Sequence, residues 1–424
     1  MQGLNLKTLA DGRKAVVIRT SDRIAFKQCR RKWSWSSHLK RNLGSRHLAG
    51  PLWFGSAIHY ALEDYHGWNV FGSPTEAFKA YCIATSKNHH RELPPDANEL
   101  YALGINMMDY YSKYWLPYKT KDETYWEDGV PQVEVNFELP IPIDASPIIK
   151  QHCEAQGIDV ILYRGTFDGI CEDEHGRLWV KEYKTAKTAM HMHYQTDPQI
   201  TTYVWAAGLV YSKPVVGVIY LQYVKKEAEY PRVGASGKLS TAKNLITSGV
   251  LYKHQLERMY GEVRRAPIEN VNFLAYLYGN ETENTDRYVQ RVQVYRNQLQ
   301  CEQEYGKILL ELEDMLNPEL PLYPNPTRDC SRMCSFLSSC VSFDDGSDYE
   351  AELAAQFSLR DQDVDRMWRS RMPNPDALRE LHSDGAVPDL EQLQSDAVSI
   401  AAYRSASIEA GEEIPTEFDI TNVD

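Results

Sequence analysis

The segment GTFDGICEDEHGRLWVKEYKT, residues 165–185, restricts the fold more than any other part of the chain. Two runs of strand character, Ile161 to Ile170 and Arg177 to Tyr183, flank the turn EDEHG, the pattern of an antiparallel hairpin. Asp168 sits late in the first run. Val180, Glu182 and Lys184 share one face of the second, because strand side chains alternate with period two. If the strands pair, Asp168, Glu182 and Lys184 converge at one end of a sheet. Two carboxylates at such a point suit Mg2+ or Mn2+ through oxygen ligands, and an ammonium beside them can orient or deprotonate an attacking water. Taken alone, an E-x-K tripeptide carries little: about one is expected by chance in a chain this long, and a surface salt bridge is its ordinary explanation.

The surroundings add specificity. Gly55 stands four residues before His59 on a stretch that reads as a helix to His66, and an imidazole there can supply a nitrogen ligand to the same metal. Asp197 before Pro198 marks a helix start, and on that helix Gln199 and Tyr203 share a face at i, i+4, placed to reach the active strand or a phosphate. A lone helical histidine or a Gln/Tyr pair is ordinarily just packed or solvated. The order Gx3H, GxxD, ExK, QxxxY is more restrictive than any of its parts. The metal ligands expected are His59, Asp168 and Glu182, with Lys184, Gln199 and Tyr203 completing the catalytic set.

Helices are expected from Ser21 through Trp33, at 74–91 and at 97–116, followed by a strand at Val133, Val135 and Phe137. The strand from Pro214 to Val224, a loop over 227–250 and a long helix over 283–316 follow. The fold class is therefore α/β, a central mixed sheet flanked by helices. Residues 1–343 read as one domain and 344–424 as an acidic tail, partly helical through Tyr349, Leu353 and Phe357, with disorder expected at MPNPD and at the extreme C-terminus.

Eight cysteines in 424 residues do not make a secreted disulfide framework. Cys330, Cys334 and Cys340 cluster in PNPTRDCSRMCSFLSSC, and Cys29 lies in FKQCRRKW far upstream. Four thiolates of this kind suit an iron–sulfur cluster or zinc, and spacing alone leaves both open. The net charge of −13 argues at first against a nucleic-acid partner. However, the tail from Asp344 holds 20 acidic and 6 basic residues, leaving 39 acidic against 40 basic in the rest. Arg30, Arg31 and Lys32, interleaved with Trp33 and Trp35, are the candidate DNA contacts. No apolar run approaches the roughly 18 residues of a membrane span, and the start resembles no signal peptide, so a cytoplasmic location without membrane attachment is expected.

With these residues in view, the chain resembles RecB-like nucleases of the PD-(D/E)XK superfamily, in the iron–sulfur branch that includes AddB-type helicase-nucleases, CRISPR-associated exonucleases and phage exonucleases. The resemblance spans about residues 20–343. It implies a metal-dependent exonuclease acting on DNA ends or single strands in recombination, repair or phage DNA processing, in the host cytoplasm if phage-encoded. It further implies Mg2+ or Mn2+ at the site and a [4Fe-4S] cluster on Cys29, Cys330, Cys334 and Cys340, zinc being the alternative. Two departures concern the cluster: three residues, not two, separate Cys330 from Cys334, and Arg30 follows Cys29 where proline is frequent. The competing readings are a non-cleaving DNA-binding module on the nuclease fold, and an endonuclease or CRISPR-adaptation end-processing factor. A zinc hydrolase built on the four thiolates is excluded, since they leave no open position for water. The acidic tail is a candidate protein-docking segment or a competitor of DNA for basic surface.

Overall fold

The computed structural model describes residues 3–47, 49–86, 93–119, 122–188, 193–211, 213–235, 237–281 and 285–360. The chain is an α/β protein with a mixed sheet flanked by helices. It divides into two compact units: one gathers residues 1–47, 140–163 and the described residues from Glu311 onward, the other residues 48–139 and 164–310.

The second unit is built around the expected hairpin. Val160–Glu172, most of which lies in this unit, pairs antiparallel with Leu178–Ala186, Gly169 opposite Lys181. Leu178–Ala186 then pairs parallel with Val215–Val224, and that strand antiparallel with Val289–Tyr295. A parallel neighbour requires a crossover, and Pro198–Val210 supplies it. This helix starts where the sequence places it: the Asp197 carboxylate accepts from the Gln199 amide at 2.8 Å, and Pro198 occupies the first turn, where no amide hydrogen is needed. On the other face, Gly50–His66 buries Trp53, Phe54, Ala57, Ile58, Ala61 and Leu62 in one cluster with Trp179, Tyr183, Ile219, Leu221 and Tyr223. Each large apolar side chain so buried contributes roughly 1.5–3 kcal/mol. Gly217 permits the closest strand approach. A Cβ there would lie 2.2 Å from the Val294 carbonyl oxygen, a backbone atom that cannot rotate away.

Several expectations are corrected. The helix expected over 283–316 is instead the strand Val289–Tyr295 followed by the helix Gln298–Met315. Buried Arg291 donates to Asp122 at 2.7 Å, and Gln290 donates to the Asp286 carbonyl, so polar side chains occupy interior positions and hide the strand's alternation. Two further helices, Gly249–Tyr260 and Ile268–Gly279, follow the 227–250 loop; Leu239, Tyr252, Leu256, Phe273, Leu274 and Leu277 form a small core of their own. The expected 97–116 helix is Ala97–Tyr110 continued by a π-turn, Tyr111–Trp115.

In the first unit, the helix expected to run through Phe26 and Trp33 breaks at Cys29. That residue is extended (φ −166°), ending Thr20–Gln28 and capping Arg30–Ser36, with its Sγ accepting from the Lys32 amide at 3.5 Å. The helix anticipated through Tyr349 is present as Tyr349–Gln356. Leu353 and Phe357 are buried with Trp35 and Phe336, Tyr349 stacks on Trp35, and Phe357–Leu359 pairs antiparallel with Leu43–Ser45. The expected disorder at MPNPD and the C-terminus falls outside the described residues.

Candidate metal centre

The second unit brings the sequence motifs together where Val160–Glu172 and Leu178–Ala186 end their pairing. The Asp168 carboxylate accepts from the Tyr183 amide at 2.7 Å, which fixes it beside the strand that carries Glu182 and Lys184. His59 reaches the same point from Gly50–His66. Its Nε2 lies 3.0 Å from the Tyr183 carbonyl oxygen, which can only accept, so Nε2 carries the hydrogen. That tautomer leaves Nδ1 facing two carboxylates, Glu134 Oε1 at 3.3 Å and Asp168 Oδ1 at 3.5 Å.

Sequence reasoning missed Glu134. It lies in Val133–Ile141, and the cross-strand pairs Arg164–Glu138 (3.0 Å) and Thr166–Asn136 (2.7 Å) step along to put Glu134 opposite Asp168. Its backbone has φ +47°, a left-handed conformation rare for a residue with a side chain. No spacing marks Glu134; only strand pairing reveals it. Among the described residues, His59, Glu134 and Asp168 are the one group of three whose donor atoms lie within 4.8 Å of one another.

Glu182 sits across from this trio on the face covered by Pro198–Val210. Its Oε1 accepts from Lys184 Nζ and from Gln199 Nε2 at 3.2 Å, and Gln199 also donates to the Tyr203 hydroxyl at 3.0 Å. Gln199 thus reaches the strand that carries Glu182, and Tyr203 joins it through Gln199. Glu182 Oε2 is buried without a hydrogen-bond partner. A buried, unsatisfied carboxylate oxygen is costly, and a cation removes that cost.

The charges are strongly coupled. Burial alone would push the His59 imidazole down, but Asp168 and Glu134 outweigh it and hold it well above 6.5. Burial would raise Asp168, yet His59 and Lys184 keep it below 3.8. Burial and the nearby Asp168 push Glu182 up to about 7, with Lys184 offsetting part of the shift. Burial opposes the charge on Lys184, and the Glu182 and Asp168 carboxylates more than restore it. The His59 imidazole nitrogen and the Glu134 and Asp168 carboxylates form a donor set that fits a hard divalent ion such as Mg2+ or Mn2+, with Glu182 outside that group of three.

The family model of the PD-(D/E)XK nuclease superfamily matches residues 23–341. The chain belongs to this superfamily. Membership implies a metal-dependent nuclease, consistent with the arrangement of His59, Glu134, Asp168, Glu182 and Lys184 in this PD-(D/E)XK core. No curated protein matches the chain.

The remaining candidate residues of this PD-(D/E)XK chain lie in the first unit. Cys29, Cys330, Cys334 and Cys340 are free thiols. Three of the sulfurs accept N–H groups: Cys29 from Lys32 N, Cys330 from Thr327 N at 3.4 Å, and Cys340 from Arg31 Nη1 at 3.2 Å. Burial pushes the Cys334 thiol up, with neighbouring Cys330 and Cys29 adding to the shift. Among the described residues the four sulfurs form no group within 4.8 Å. Of the expected DNA contacts, Arg31 is buried against Asp344 (2.8 Å) and Cys340, and Arg30 pairs with Asp314 at 2.8 Å. The Lys32 ammonium meets the neutral Gln28 amide at 3.2 Å. No helix among the described residues is long and apolar enough to cross a membrane.

Proposed function

We propose that this chain is a DNA exonuclease acting on ends or single strands with Mg2+ or Mn2+, and that Cys29, Cys330, Cys334 and Cys340 hold a [4Fe-4S] cluster. The observation that carries the nuclease reading is the meeting of His59 Nδ1, Glu134 and Asp168, with Glu182 and Lys184 on the adjoining strand, within the residues matched by the superfamily. His59, Glu134, Asp168 and Glu182 would hold the metal, which when bound lowers the pKa of water and offsets charge on the transition state. The chain does the rest. The Tyr183 carbonyl fixes the imidazole tautomer, the Tyr183 amide orients Asp168, and Gln199 and Tyr203 brace Glu182. Lys184 Nζ is poised to position the attacking water and to stabilise negative charge on the phosphoryl oxygens.

For the cluster, the N–H groups aimed at three sulfurs suit thiolates. The cluster's role is mechanical: Cys29 precedes the nuclease motifs and the other three follow them, so ligation ties segments that are distant in sequence. Of Arg30, Arg31 and Lys32, we assign phosphate contact to Lys32.

Digestion of 5′- and 3′-labelled single strands, linear duplex and closed circles with Mg2+ or Mn2+ tests the function. Mononucleotides or short fragments released from one labelled end, with circles intact, are expected. Nicked circles make the enzyme an endonuclease, and binding without metal-dependent cleavage makes it a clamp.

A further inference from the structure

At the end of the sheet that carries the catalytic residues, the parallel register runs Gln222 opposite Lys184, Tyr223 opposite Thr185 and Val224 opposite Ala186. One further step sets Lys225 beside Lys187, and the Lys225 amide donates to the Ala186 carbonyl at 2.8 Å. Because side chains alternate, both lysines continue the face of Tyr183 and Tyr223, the face covered by Gly50–His66. Lys225 Nζ lies 4.8 Å from the Phe54 ring centroid, which confirms the face. The two lysines are thus neighbours at the sheet end, and among the described residues neither forms a salt bridge. Partial burial lowers the Lys225 pKa, repulsion from Lys187 lowers it further, and Asp96 offsets part of this. An anion between the two would relieve the repulsion.

We propose that Lys187 and Lys225 form a phosphate-binding subsite for the nucleic-acid substrate. The proposal rests on the nuclease reading above and identifies which part of the substrate is gripped. Lys187 lies three residues beyond Lys184, one past the end of Leu178–Ala186 and on the Gly50–His66 side of the sheet from which His59 reaches the site, roughly 10 Å away for extended chain. The phosphate it meets therefore belongs to a neighbouring nucleotide, or is the terminal phosphate of the strand, and not the one being cleaved. Phe54 under Lys225 holds that ammonium by a cation–π contact and limits the rotamer freedom lost when a phosphate binds.

The test uses the full chain with Glu182→Ala, so that DNA is bound and not cut, as the background for Lys187→Ala, Lys225→Gln and the double variant. Single-strand affinity is measured from 0.05 to 1 M salt by anisotropy. Each lost phosphate contact lowers the slope of log K against log salt by about 0.7, so the double variant should lose about 1.4. Extrapolated to a common value near 1 M salt, this is roughly 25-fold weaker binding at 0.1 M. Lys225→Arg should restore the affinity lost in Lys225→Gln. Exposed Lys187→Ala, expected to lose half the slope change, guards against misfolding at Lys225. Comparing 5′-phosphorylated, 5′-hydroxyl and circular single strands separates the two sources: a loss confined to the phosphorylated end identifies a terminal phosphate, an equal loss on all three an internal one. An unchanged slope in variants whose parent binds DNA overturns this subsite alone. A parent that binds no DNA overturns the nuclease reading with it.

Discussion

Glu182→Gln in the metal-free protein isolates the electrostatic cost of the site. The folded protein holds this carboxyl near 7, against an ordinary value of 4.5. A carboxyl whose folded-state pKa is raised contributes stability that is complete below its unfolded pKa and is lost as pH rises through the folded one. The window is therefore from about pH 4.5 to about pH 7. With about 1.4 kcal/mol per unit, ionising Glu182 in the folded, metal-free chain costs on the order of 3 kcal/mol. Gln mimics the protonated form and never incurs that cost. Urea denaturation in EDTA should find Glu182→Gln close to wild type at pH 5 and more stable at pH 8 by up to roughly 3 kcal/mol. Mn2+ should reverse the order, because it stabilises only the chain that retains the carboxylate. Glu182→Gln equal to or weaker than wild type at pH 8 in EDTA would refute the reasoning, since the carboxylate would then be at no disadvantage when ionised.

Lys184→Ala and Asp168→Ala should abolish cleavage, by at least about 100-fold in kcat, while single-strand binding persists; near-wild-type cutting by either variant shows that the site is misassigned. Cys334→Ala should lose the brown colour and the iron of anaerobically purified protein and fall in solubility and protease resistance, and a wild-type chain that is stable with neither iron nor zinc would remove the cluster. Truncation after Arg360 should leave cleavage equal or higher at low salt, because residues 361–424 carry 15 acidic against 5 basic residues and repel DNA. Truncation after Phe343 should instead destabilise the chain by roughly 3–6 kcal/mol through loss of buried Leu353 and Phe357, with loss of the Arg41–Glu350 pair in addition, as read by thermal melting.

What could be read in the sequence was what neighbours along the chain determine. The hairpin of Asp168 and Glu182 follows from period-two alternation around EDEHG, and the helix bearing Gln199 and Tyr203 follows from an Asp cap before Pro198. Both signals are local, and both survive into the fold. Val289–Tyr295 failed for the opposite reason. Its interior positions hold Gln290 and Arg291, made tolerable by partners at Asp286 and Asp122. A tertiary contact thus overrides the pattern that would announce a strand. The break at Cys29 is similar: KQCRRKW reads as continuous helix, yet the cysteine acts as a cap for the following turn. A cap signal did exist for the missed helix Gly249–Tyr260, in Ser248 before it and Gly261 after it. The acidic tail was divided by composition, and composition does not register that Leu353 and Phe357 have a partner in Trp35.

Glu134 is the instructive case. Within VEVNFEL its residue type and position match any solvent-facing strand glutamate, and alternation alone assigns it no role. In the fold its backbone turns into the left-handed region, at a cost of about 1–2 kcal/mol for a residue with a Cβ. Such a cost persists only where surrounding structure enforces it, and it clusters where geometry serves a function. Here the enforced geometry brings the Glu134 carboxylate to His59 Nδ1, the nitrogen freed by the Tyr183 carbonyl. Two separate devices, a strained strand residue and a fixed imidazole tautomer, therefore aim donor atoms at the same point. A surface salt bridge would need neither. Without a metal, the two carboxylates keep a second proton on the imidazole, at Nδ1; a bound divalent cation would take that proton's place while Nε2 still donates to the Tyr183 carbonyl.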